Sequence, residues 1–171
     1  MTVPSSADAD RPRILSLGAN RSTVGQLSAD VVDELTRSRL ERGLPAVAIT
    51  CDVDDMPLGE SEAAAWRELL VILVGAACDA SAGFVPPRGV PCLREVLVTG
   101  VVTPDGLELE VADSGPGLAA AAPTATTSRL LASARPLAER LGGTLAMCDC
   151  PSGGLAVTIH VPRRRAQRCA A

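Results

Sequence analysis

Asp113-Ser114-Gly115-Pro116-Gly117 is the stretch best equipped for chemistry: a carboxylate closes an apolar run and two glycines follow within four residues. A carboxylate there offers an acceptor to an exocyclic amine, and glycine lets a backbone come close to a ligand. The same five residues also suit a plain turn opened by Asp. Three further groups carry reactive types. Cys148-Asp149-Cys150 alternates thiols around a carboxylate, yet a structural zinc needs four donors and no second pair or His stands at the usual spacing, so small hydrophobes on a strand is the better reading. His160 is the single His and alternates with Ile159 and Val161, which places it on a sheet face. Arg163, Arg164, Arg165 and Arg168 form a basic end without aromatics, a solvated tail rather than a nucleic-acid surface.

What is missing narrows the chemistry further. All 16 basic residues are Arg, which excludes a P-loop lysine, a Schiff base and a lysine general base. With one His and one Asn (Asn20), a His metal site, a catalytic triad and a phosphorelay each have at most one candidate. Trp66 and Phe84 are the only aromatics, too few for a stacking platform. Length 171, 47% hydrophobic content and a net charge of −4 fit one globular domain, and six cysteines in such a chain read as reduced thiols. No apolar run is long enough to span a membrane and the acidic start is unlike a secretory signal, so the expected location is the cytoplasm.

The elements that must position these groups follow from periodicity. Residues 1–11 read as a disordered leader, 12–162 as a single domain and 163–171 as the basic tail. Val24, Leu27, Val31 and Leu35 recur at three and four, giving a helix over about 22–42 that Gly43 and Pro45 end, followed by a strand over 46–53. A helix from about Ser61 to Ala80 is so apolar after Leu69 that it should be buried nearly all round. Residues 93–102 and 107–114 form a hairpin around Thr103-Pro104-Asp105-Gly106, with Leu107, Leu109 and Val111 on one face and Glu108 and Glu110 on the other. A long connection over 115–127 leads to a helical stripe from Leu130 to Leu141, in which Pro136 should mark a kink or the first turn. A second hairpin, 144–150 and 154–162, turns at Pro151-Ser152-Gly153. The expected architecture is an α/β two-layer sandwich: a mixed, mostly antiparallel sheet of about five strands, covered on one face by about three helices.

At ELEVADSGPGL (108–118) and AERLGGTLAMCDCPSGGLAVTIHVP (138–162) the chain resembles the ATP-binding domain shared by gyrase, heat-shock chaperones, sensor histidine kinases and MutL-type repair proteins, the GHKL superfamily, with the histidine-kinase branch the nearest likeness. The helix, strand and core helix of 28–81 follow that family's order, so the resemblance covers roughly residues 14–162. It implies the family's Bergerat-type fold and an adenine pocket in which Asp113 accepts a hydrogen bond from the adenine amino group. Gly115 and Gly117 would admit the nucleotide, and Thr158 would stand on the last strand beneath the base.

The departures carry as much weight. Ala76 occupies the place of the family's magnesium-ligating Asn, and Ile72 that of the gyrase-like general base. The second glycine motif, over about Ser128 to Leu131, has no glycine, leaving Ser128 and Arg129 as phosphate contacts. The resemblance therefore implies a histidine-kinase-like ATP-binding domain of bacterial two-component signalling, degenerate at its magnesium and phosphate end, with ATP or ADP and Mg²⁺ held weakly or not at all. No residue is assigned to catalysis and no protein ligand to a metal. The implied partner is a signalling protein with a phosphoacceptor or response-regulator-like domain; the alternative is a non-catalytic pseudo-ATPase that only docks such a partner.

Overall fold

The computed structural model describes residues 22–85, 88–89, 93–118, 125–151 and 153–163, the side chains of 125–128 apart. The expected leader, and the tail beyond Arg163, lie outside them. Three helices and five strands alternate as α1 (Val24–Glu41), β1 (Ala48–Val53), α2 (Glu60–Gly83), β2 (Glu95–Val102), β3 (Gly106–Asp113), α3 (Ala125–Arg140), β4 (Thr144–Asp149) and β5 (Leu155–Pro162). The sheet order is β1-β2-β3-β5-β4. Only the β1–β2 pair is parallel, as it must be when a 24-residue helix carries the chain from one strand to the next. The two hairpins make β2–β3 and β4–β5 antiparallel, and β5 joins them by pairing antiparallel with β3. This is the mixed, one-sided α/β sandwich that the alternation predicts.

Local signals set the helix ends. Thr23 Oγ1 accepts from the Gln26 N–H at 3.2 Å and caps α1, while the Gly59 N–H donates to Glu62 Oε2 at 3.0 Å at the start of α2. Between helices and sheet lies an apolar core built around Trp66, Leu69, Leu70, Leu73, Leu107, Leu109 and Ile159, each at most 2% exposed.

Two expectations change. Helix α2 is not buried all round, for Val71 is 37% exposed. It is the middle helix of a three-helix layer, with the sheet below and α1 and α3 beside it, so its fourth side meets solvent. Helix α3 begins at Ala125, five residues before the expected stripe, and runs through Pro136 instead of starting there. Proline inside a helix forfeits a hydrogen bond to the preceding turn, and Pro136 is exposed. Pro136→Ala is therefore expected to stabilise the fold by about 1 to 3 kcal/mol, read as a higher urea midpoint at unchanged slope.

Candidate functional site: an apolar cavity closed by Asp113

Strand β3 alternates inward Leu107, Leu109 and Val111, and the same parity delivers Asp113 to the inner side where the strand leaves the sheet. There the last turns of α2, the ends of β3 and β5, the Pro116–Leu118 loop and Leu130 of α3 enclose a cavity of about 530 Å³. That is a size suited to a small organic ligand. The walls are chiefly apolar, with Leu73, Ala76 and Ala77 on one side and Val111, Leu155 and Val157 on the other.

Asp113 is the polar group that the fold holds in place here. Its Oδ1 accepts the Gly115 N–H at 2.7 Å and the Leu155 N–H at 3.3 Å. No described donor reaches Oδ2, so one oxygen orients the carboxylate and the other is left to accept from a ligand. Burial pushes the Asp113 carboxyl above the usual carboxylate range, and the two N–H donors offset only part of that. Leu155 can reach Asp113 because Gly153 and Gly154 take φ of 95° and 93°, which turns the chain sharply into β5.

The other expected residues divide. Gly115 packs against α2, where an added Cβ would lie 2.8 Å from Asp113 Oδ1 and 3.1 Å from Ala80, and Gly117 lines the cavity with φ of 71°. Ala76 lines it too, presenting a methyl. Thr158 does not join them. It lies on the open face of the sheet with His160, opposite Glu110, and its hydroxyl is 3.4 Å from Glu110 Oε2. Buried Val157, Ile159 and Val161 hold the inward positions of β5, so Thr158 cannot turn inward without exposing them. Arg129 is exposed and not part of the lining, and the side chain of Ser128 lies outside the described residues.

Sequence reasoning passed over two carboxylates. Asp79 lines the cavity on α2, its Oδ1 2.6 Å from Arg39 Nη1 on α1. Asp149, at the end of β4, accepts the Leu118 N–H and lies so close to the loop that a Cβ on Gly117 would be 2.7 Å from its Oδ1. Burial first, and then the charges of Asp113, Cys148, Glu110 and Asp149, push the half-buried Cys150 thiol upward. The lone signal for Asp149 was its place between Cys148 and Cys150.

A magnesium ion does not fit these residues. The wall that the resemblance gives to its ligand carries the Ala76 methyl, the Asp79 carboxylate is held by Arg39, and no three His, Cys, Asp or Glu side chains converge among the described residues.

With this geometry in hand, solved structures supply a comparison. The chain is similar to the Erythrobacter litoralis EL346 blue-light activated histidine kinase, with a TM-score of 0.60, 18% sequence identity and coverage of 82% of this chain and 42% of that one. What the two share is a fold. The chain spans less than half the length of that kinase. No family profile and no curated protein matches the sequence. Among the described residues no helix is long and apolar enough to cross a membrane.

Proposed function

We propose that the chain is a histidine-kinase-like ATP-binding domain of bacterial two-component signalling, degenerate at its magnesium and phosphate end, that holds an adenine ring against Asp113. The observation that carries this reading is the divided carboxylate: Oδ1 pinned by two backbone donors, Oδ2 without a donor among the described residues, on a group that lines an apolar cavity. An exocyclic amine is the complement of such an oxygen, and a flat heterocycle is the complement of aliphatic walls. Apolar neighbours lower the local dielectric around the half-buried carboxylate, which makes the pairing count for more than it would in solution. The fold shared with a histidine kinase supports the signalling setting.

Phosphoryl transfer is not part of the proposal. Ala76 and Ile72 offer neither a metal ligand nor a base. The domain works as a binding module that docks a signalling partner protein. A second reading, docking with no ligand at all, draws on the uncovered face of the sheet, where Leu97 and Val101 are 42% and 57% exposed.

The two readings separate in a thermal-melt and calorimetric titration with adenosine, ADP and ATP, the last two with and without Mg²⁺. A melting shift that follows RT ln(1 + [L]/Kd) and disappears in Asp113→Ala is the expected result. A folded chain that ignores millimolar adenine ligands would leave the docking module.

A further inference from the structure

The cavity is set against anions. An anion-binding loop works through backbone N–H groups that point at the ligand. In the 114–118 loop most of them are already taken: Gly115 N–H by Asp113, Leu118 N–H by Asp149, and Ser114 N–H by Ser81 Oγ at 3.2 Å and the Glu95 carbonyl at 3.1 Å. Pro116 has no N–H to give. Two of the four acceptors that fill the loop are carboxylates, so a phosphate arriving there would meet negative charge where it needs donors. The cavity lining has Asp79 and Asp113 and no Arg or His among the described residues. Arg39 is not part of that lining, and its Nη1 donates to Asp79.

We infer that the cavity selects an adenine ligand without phosphates, a nucleoside or free base, over ADP and ATP. This rests on the adenine reading above and names the ligand class for the same site. An uncharged nucleoside keeps the amine bond to Asp113 and the contact with the apolar walls. It also avoids bringing phosphates near the Asp149 carboxylate, which already holds the Leu118 N–H.

The test is a calorimetric titration of the full chain with adenosine, AMP, ADP and ATP, the last two with and without Mg²⁺. Adenosine is expected to bind at least as tightly as ATP, and Mg²⁺ to leave the adenosine-to-ATP ratio within about twofold. Asp149→Ala removes the charge and releases the Leu118 N–H, so it should raise ADP affinity at least threefold relative to adenosine; Asp149→Asn, which removes only the charge and keeps the acceptor, should raise it less. A melting curve confirms that each variant is folded. ATP or ADP binding more tightly than adenosine would overturn the inference and leave the adenine reading standing. Binding of no adenine compound by the folded chain would overturn both.

Discussion

Asp113→Asn is expected to weaken adenosine binding roughly 10- to 100-fold and to turn the preference toward inosine, since a hydrogen bond to a charged group contributes about 1.5 to 3 kcal/mol. The amide keeps an oxygen for the N–H groups of Gly115 and Leu155, so the loop holds its shape while an –NH₂ replaces the oxygen that faces the cavity. A donor there repels the adenine amine and suits the carbonyl of a hypoxanthine ring. Paired titrations with adenosine and inosine on both proteins read the exchange. Equal loss of both ligands would mean that Asp113 shapes the loop without touching the base.

The same substitution should make the free protein more stable at neutral pH. Burial raises the Asp113 pKa, so between the ordinary carboxylate value and the raised one the folded chain binds more protons than the unfolded chain. Stability therefore falls as pH rises through that window, and the cost is full above it. Asn does not titrate, so its advantage in melting temperature should be present at pH 7, shrink as pH falls through that window and be gone below the ordinary carboxylate value. Adenosine binding by the wild type should weaken with acid for a related reason: the ligand needs the ionised oxygen. A residue whose replacement costs binding and gains stability is the pattern expected of a group held for a ligand.

Gly154→Ala is the second large effect. Gly154 has φ of 93°, where an L side chain is strained, and an added Cβ would overlap the Asp113 carbonyl oxygen. Both the turn into β5 and the end of β3 would have to move. A loss of more than about 3 kcal/mol of stability is expected in denaturant melts, together with loss of adenosine binding, because the Leu155 N–H that orients Asp113 follows directly in the chain. Gly153→Ala is the control. Its φ is 95° but nothing lies within 4 Å of an added Cβ, so it should carry the backbone strain without the collision and cost less.

How far the site was legible depends on which kind of contact made it. Asp113, Gly115 and Gly117 lie within five residues of one another, and local spacing with the resemblance found them. Thr158 was misplaced, although the signal was present: Val157, Ile159 and Val161 alternate with it, and the parity that put His160 on a sheet face puts Thr158 on the same face. A residue-by-residue match overrode a period-two pattern that the core enforces. Leu155 escaped notice because it contributes a backbone N–H, which no side-chain motif marks.

The sequence by itself determined the elements, their order, the one-sided sheet and the methyl at Ala76, because periodicity and turn residues act over a few positions. Only the tertiary structure decided what the carboxylates do. Asp113 meets Leu155 across 42 residues, Asp149 meets Leu118 across 31, and Arg39 meets Asp79 across 40. Whether an acid faces solvent, opens to a ligand or occupies a loop's amides depends on which distant backbone packs beside it, and that is set when the helices close over the sheet.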